Sequence, residues 1–203
     1  MKETGVTATT TLEGARIRLE PLGEAHHAAL CTVGLDASLW QWTPKPVHTA
    51  ADMAAYIAFA LAERAAGRAL PFVIIEKATG QVIGSTRYGA IEPAHRRVEI
   101  GWTWLGRSWQ RTAVNTEAKY LLLRHAFETL GCIRVELKTD SLNERSRAAI
   151  RRIGAREEGT LRSHMITASG RIRDTVYYSI LDREWPEVKV ALESRLDLIS
   201  KIV

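Results

Sequence analysis

The sequence predicts one mixed α/β domain with a mostly antiparallel central sheet, a parallel strand–helix–strand core and flanking helices. Three observations predict it. Strand-period and helix-period segments follow one another in the order strand, two helices, three strands, helix, strand, helix, two strands, helix. No repetitive or linker-like stretch interrupts them, so one domain is expected over 13–203 behind a flexible segment 1–12. A strand–helix–strand unit at 97–139 must close as a right-handed crossover between parallel strands.

Each element has its own signal. Ile17 and Leu19 alternate with Arg16, Arg18 and Glu20 in a first strand that Pro21 ends. A weak helix follows from Glu24 to Cys31 and ends near Gly34. Trp40, Trp42, Pro44 and Pro46 mark 36–48 as a loop. Thr49 and Asp52 form a helix start, with Met53, Tyr56, Ile57, Ala60 and Leu61 on one stripe. Phe72 to Glu76 and Val82 to Tyr88 flank the turn Ala78-Thr79-Gly80 as a hairpin. Val98, Ile100, Trp102 and Trp104 alternate with Glu99, Gly101 and Thr103, so Glu99 and Thr103 are expected on the face opposite the tryptophans. A helix is expected from about Asn115 to Leu130, with Gly131 past its end. Ile133 to Thr139 reads as a strand and Asn143 to Ile153 as a short helix rich in arginine. Gly159 to Ile166 and Thr175 to Leu181 flank Ala168-Ser169-Gly170 as a second hairpin. Trp185-Pro186 opens a last helix carrying Val188, Leu192, Leu196 and Ile199.

The chain has 203 residues, 46% of them hydrophobic and 25% charged, ordinary for a globular domain with a real core. Cys31 and Cys132 lie far apart, without a Cys/His cluster. No disulfide scaffold or metal site is therefore expected, and reduced thiols point to a cytoplasmic location. The apolar runs are too short for a membrane span, and no signal peptide is visible at the start. The net charge is +5, and it is concentrated. Residues 105–156 hold eleven Lys and Arg against five acids. A local basic field suggests an anionic partner: a phosphorylated cofactor, a nucleic acid or an acidic surface.

The strand at 97–104 runs through Leu105-Gly106-Arg107-Ser108-Trp109-Gln110-Arg111-Thr112 into a helix. Such a turn offers free backbone N–H groups and the positive end of a helix dipole, which suit a pyrophosphate. Neither G-x-x-x-x-G-K-S/T nor G-x-G-x-x-G occurs there, which argues against nucleoside-triphosphate hydrolysis and a Rossmann dehydrogenase.

The stretch Glu99-Ile100-Gly101-Trp102-Thr103-Trp104, with Trp109-Gln110-Arg111-Thr112-Ala113-Val114-Asn115-Thr116-Glu117-Ala118-Lys119, resembles the acetyl-CoA-binding core of the GNAT N-acetyltransferase superfamily. More narrowly it resembles the ribosomal-protein N-terminal (RimJ/RimL-like) branch. Asn143-Glu144-Arg145-Ser146, Ile153-Gly154-Ala155, Glu158 to Arg162 and Glu184-Trp185-Pro186 fit in the same order. The resemblance covers roughly 13–196 and implies the acyl-CoA N-acyltransferase fold. It also implies a metal-independent transfer of acetyl from acetyl-CoA to a primary amine by direct attack. Two departures stand out. Ala113 and Asn115 replace the usual glycines of the pyrophosphate turn, and an Ala113 at positive φ would be strained. Ile150 stands where many members carry a tyrosine acid.

By the resemblance, co-substrate contacts fall on Trp102, Thr103, Trp104, Leu105, Gln110, Arg111, Thr112, Ala113, Val114, Asn115 and Thr116, and on Asn143, Ser146 and Arg151. Glu99 is the expected base that takes the amine proton, and Ser146 the expected donor to the leaving thiol. Asn143 also reads as a helix cap. Trp40, Trp42, His164 and Tyr177 are the expected acceptor-side residues, with His164 a second candidate base. Of Tyr177 and Tyr178, one is expected in the core and one in the acceptor channel. Arg145, Arg147, Arg151 and Arg152 offer partners for the 3′-phosphate of CoA.

The resemblance implies an acceptor that is a protein or peptide N-terminus or a small amine. Two readings compete with an enzyme. One is an acyl-CoA sensor without turnover, which the Ala113/Asn115 turn and Ile150 keep open. The other is a basic nucleic-acid module, which the few aromatic residues of the basic segment disfavour. A homodimer through the final hairpin and C-terminal helix is compatible with the pattern.

Overall fold

The computed structural model describes residues 10–197. Residues 1–9 of the expected N-terminal segment, and Ile199 of the last helix, lie outside the described residues. Eight strands form one sheet: β1 (Leu12–Glu13), β2 (Ile17–Pro21), β3 (Leu70–Glu76), β4 (Val82–Glu92), β5 (Arg97–Leu105), β6 (Arg134–Asp140), β7 (Arg156–Ile166) and β8 (Ile172–Leu181). Their order is β1-β2-β3-β4-β5-β6-β8-β7. Only β5 and β6 pair in parallel; the other neighbours are antiparallel. The helices are α1 (His27–Gly34), α2 (Ala50–Ala65), α3 (Val114–Arg124), α4 (Glu144–Arg152) and α5 (Trp185–Arg195).

Two cores sandwich the sheet. On one face Ile17, Leu19, Ile83, Tyr88, Val98, Ile100, Val135 and Leu137 pack against α3, α4 and α5 through Leu122, Ile150 and Leu192. On the other face Val73, Ile75, Val82 and Trp104 pack against Leu30, Met53 and Ile57 of α1 and α2. The first is called the α3 face here and the second the α2 face. The expected start of α2 is a capping box: Thr49 accepts from the Asp52 N–H while the Asp52 carboxylate accepts from the Thr49 N–H. Asn143 caps α4 in the same way, its Oδ1 accepting from the Ser146 N–H at 3.0 Å.

Two features depart from the sequence pattern. The helix expected from Asn115 to Leu130 is α-helical only to Arg124 and widens into a π turn over His125–Thr129. Beside this widened end, the buried Tyr88 hydroxyl donates to the Leu122 carbonyl. The second departure is a bulge in β5. Arg87 pairs with Gly101 and Ser85 with Trp104, so Trp102 and Thr103 together oppose Thr86. Trp102 takes φ +50° to accommodate the extra residue. The expected alternation is therefore corrected: Glu99, Trp102 and Trp104 share the α2 face, and Thr103 turns to the α3 face.

Asn143→Ala is expected to cost about 1 kcal/mol of stability. Asn143→Asp, which keeps the cap acceptor, should retain most of it. Urea denaturation of both variants against the native chain checks this.

Candidate active site

The parallel pair β5–β6 is short. Arg97, Val98 and Glu99 pair with Arg134, Val135 and Glu136, and no pair follows. Beyond it β5 stays bonded to β4, and β6 stays bonded to β8 as far as Asp140. The two strands diverge between these outer partners, and a V-shaped gap opens with Glu99 at its apex. Past that point the inner edges of β5 and β6 have no strand partner for their backbone groups.

Glu99 is 4% exposed, and its Oε2 lies 2.8 Å from Lys138 Nζ of β6. Burial pushes its pKa up; Lys138 pulls it part of the way back. Tyr177 shares this face, its ring 5.7 Å below Lys138 Nζ and 5.9 Å from the His164 ring in an edge-on contact. Tyr178 is fully buried in the α3-face core. The structure thus assigns the core role to Tyr178 and the open α2 face to Tyr177. His164 is exposed on β7. Trp42 lies near the same hairpin, with the Arg171 guanidinium 5.9 Å from its ring and the Arg173 side chain donating to its carbonyl. Arg171 and Arg173 both converge on the buried Asp140. Trp40 is placed differently: it is 4% exposed, packs on Trp104 and Tyr56, and donates to the Gly34 carbonyl at 2.7 Å. It supports the wall of the site from within the core.

Sequence reasoning missed Lys119. Its neighbours on α3 are buried on both sides, and Lys119 is itself 7% exposed. Its Nζ donates to Thr103 Oγ1 at 2.6 Å, and Thr103 Oγ1 sits 2.7 Å from Thr86 Oγ1. No carboxylate among the described residues lies within salt-bridge distance of it. Burial lowers its pKa to about 7, with Glu99 opposing the shift. Two buried titratable groups therefore lie along β5: Glu99 at the apex on the α2 face, a carboxylate raised by desolvation, and Lys119 against Thr103 on the α3 face, an amine lowered by it. A lysine inside a helix reads as solvated from sequence. The signal available was the amphipathic position: Lys119 is one turn from Asn115, and both precede the leucine run.

The turn from β5 to α3 leads into a helix start as expected, with one correction to its backbone. Ala113 has φ −68° and ψ −16°, in the right-handed helical region, so it is not strained. The positive φ falls on Arg111 at +62°. Gln110 is held at both ends of its amide: Nε2 donates to the Leu105 carbonyl at 3.0 Å and Oε1 accepts from Arg145 at 2.8 Å. Thr112 Oγ1 accepts weakly from the Val114 N–H at 3.3 Å. The first-turn N–H groups of α3, including those of Asn115 and Thr116, have no intrahelical acceptor. Arg111 and Arg145 are exposed beside them.

The remaining basic residues are less free than the composition suggests. Lys138 pairs with Glu99, Arg134 with Glu136 and Glu158, and Arg147 with Glu144. Arg151 lies 2.6 Å from Glu157 and is committed to that partner. Ser146 is half-buried in the first turn of α4, and its hydroxyl has no hydrogen-bond partner among the described residues. Ile150 is a core residue. Tyr120 and Phe127 pack on Trp185 rather than forming an exposed stacking platform. No group of residues that could hold a metal ion, and no helix long and apolar enough to cross a membrane, occurs among the described residues.

Comparison with known proteins gives a consistent picture. Residues 16–156 match the family model of the acetyltransferase (GNAT) domain. A Bacillus subtilis (strain 168) protein that bears the name ribosomal N-acetyltransferase YdaF is 36% identical over 106 residues, 52% of this chain and 57% of that protein. The chain spans 57% to 66% of the length of the curated relatives it matches. A GCN5-related N-acetyltransferase from Brucella melitensis superposes with a TM-score of 0.85 at 33% identity, covering 92% of this chain and 85% of that one. Mycobacterium smegmatis RimJ, solved in complex with CoA-disulfide, gives a TM-score of 0.81 at 26% identity, covering 93% and 96%.

Lys119 makes stability depend on pH. Its folded pKa of about 7 lies below the ordinary lysine value of 10.5, so between these values the unfolded chain binds more protons. Stability should rise with pH across that window, by at most about 1.4 kcal/mol per unit. Lys119→Met removes the group. Its stability relative to the native chain should be highest at about pH 6 and fall towards about pH 9, as measured by thermal or urea unfolding.

Proposed function

The chain belongs to the GNAT acetyltransferase family, and we propose that it moves the acetyl group of acetyl-CoA to a primary amine by direct attack within a ternary complex. The observation that carries this reading is the gap between β5 and β6, with Glu99 at its apex, Lys119 against Thr103 further along β5, and the start of α3 following the end of β5. Acetyl-CoA would supply an activated acyl thioester. The free N–H groups at the start of α3 and the exposed Arg111 and Arg145 suit its phosphates. The unpaired inner edges of β5 and β6 suit the amides of its arm.

Each residue then has a defined task. Glu99 takes the amine proton, directly or through water; its raised pKa brings it nearer to neutrality than an ordinary carboxylate. Lys138 holds the Glu99 carboxylate in place at 2.8 Å. Lys119 carries a proton that it releases at about pH 7, below the usual thiol pKa of about 8.5. Transfer to a leaving sulfur is therefore downhill. Ser146 is a far weaker acid and acts as a hydrogen-bond donor on the same side. Asn143, by capping α4, fixes where Ser146 stands. Arg151, engaged with Glu157, contributes less than Arg145 to phosphate binding.

The acceptor enters from the α2 face, where Trp42, His164 and Tyr177 border the gap. The names of YdaF and RimJ favour a protein N-terminus; a small amine is the alternative. The nucleic-acid reading loses support because most basic residues of 105–156 are paired within the chain. An acyl-CoA sensor is the reading that the test must separate.

Acetyl-CoA is expected to raise the melting temperature of the native chain, with about 2.7 kcal/mol of stabilisation at a hundredfold excess over Kd. An amine panel should then release free thiol. Stabilisation without thiol release from any amine would favour the sensor. Glu99→Gln should lower kcat by about a hundredfold or more while leaving the acetyl-CoA thermal shift in place. Lys119→Met should remove the pH–rate limb near about 7. Ser146→Ala should keep that limb and lose less rate.

A further inference from the structure

A second buried cation faces the acceptor side, and nothing in the reaction described above uses it. Arg87 lies on β4 opposite Gly101, two register steps from the Gly89–Glu99 pair and so on the same face as Glu99. It is 1% exposed, and its Nε and Nη2 are buried without a hydrogen-bond partner. Its guanidinium carbon lies 5.0 Å from the ring centroids of both Tyr56 and Trp102. The two rings hold the positive charge but give the N–H groups nothing to donate to. The acid that feels Arg87 from α2, Glu63, is bound to Arg68. A guanidinium left this way lacks the planar bidentate acceptor that its geometry matches.

Trp102 controls the approach. It sits at the bulge with φ +50°, is 43% exposed, and lies so close over Gly89 that a Cβ there would come within 2.4 Å of the ring. Its indole covers Arg87 on one side and meets solvent on the other. Diagonal neighbours on adjacent strands lie roughly 7–8 Å apart, which sets the span between Glu99 and Arg87.

We propose that Arg87 anchors a carboxylate of the acceptor, so that the substrate class is an amine bearing a carboxylate a few bonds from the reacting nitrogen. Trp102 swings aside as the carboxylate pairs with Nε and Nη2, and the amine is left beside Glu99. The proposal rests on the acetyltransferase reading for the identity of the reaction but not for the anion site. A free amino acid and a peptide beginning with Asp or Glu supply the same chemistry.

Two arms test it. In the first, thiol release from acetyl-CoA is compared for matched acceptors: glycine against glycinamide, and Asp- or Glu-initiated peptides against Asn- or Gln-initiated ones. The carboxylate member of at least one pair is expected to have a kcat/KM about tenfold or more higher, as for hydrogen bonds to a charged group. In Arg87→Gln the ratio should fall to about one, and in Arg87→Lys to an intermediate value. The two pair types separate a free amino acid from a peptide. In the second arm, turnover is not needed. Succinate should change the intrinsic tryptophan fluorescence of the native chain, succinamide should not, and Arg87→Gln should abolish the response. Should the variants fail to fold, the native chain decides through succinate against succinamide and through the acceptor ratios. Equal ratios in the native chain, a ratio that survives in Arg87→Gln, or no response to succinate overturns the proposal. A succinate response without thiol release from any amine overturns the acetyltransferase reading and leaves the anion site standing.

Discussion

The site depends on how briefly β5 and β6 pair. Three residues on each strand hold the parallel contact, and each strand is tied on its other side to a neighbour that follows its own course. Sheet twist then carries the strands apart. Without that divergence there would be no gap, no unpaired inner edge, and no route through the sheet from the α3 face to the α2 face. The helix that connects the strands, α3, starts after β5 ends and carries Lys119, whose amine lies against Thr103 of β5. One connection therefore supplies both the helix start proposed to hold phosphates and the buried amine.

Burial gives Glu99 and Lys119 their chemistry. In water a carboxylate and an amine differ by about six pKa units and neither titrates near neutrality. Desolvation moves them towards each other, the carboxylate up and the amine down. An ordinary surface ion pair would move them apart. Glu99 does have an ion-pair partner in Lys138, which limits its rise, whereas Lys119 has only hydroxyl oxygen.

Much of this was legible in the sequence because it is local. Thr49 with Asp52, Asn143 before α4, and the hairpin turn at 78–80 each announce themselves within four residues. The segment 97–105 was a plain strand, and its run into a helix marked the phosphate turn. What escaped was decided across strands. The run Val98 to Trp104 alternates without a flaw, yet the ladder with β4 inserts a bulge at Trp102 and turns the tryptophans to the side of Glu99. Likewise Arg87 looks like any polar residue of a strand until both faces of β4 prove buried. The expected strain at Ala113 depended on where the turn puts its positive φ, and the chain puts it at Arg111. The basic excess of 105–156 was read correctly as a count but not as a field, because Arg107, Arg134, Lys138, Arg147, Arg151 and Arg156 are each held in an ion pair, several with acids outside the segment.

The position of Lys119 on α3 has one further consequence. Lys119 lies five residues from the start of a helix whose dipole favours an anion at its head, close enough for the buried amine to sense a charge there. Any anion that docks at that head favours the charged form of Lys119. Near neutrality, docking is then expected to draw a fraction of a proton from the buffer, so that the heat of docking varies with the ionisation enthalpy of that buffer. The helix acts as a thermodynamic lever, in which occupancy at its outer end and proton affinity at its buried flank rise together.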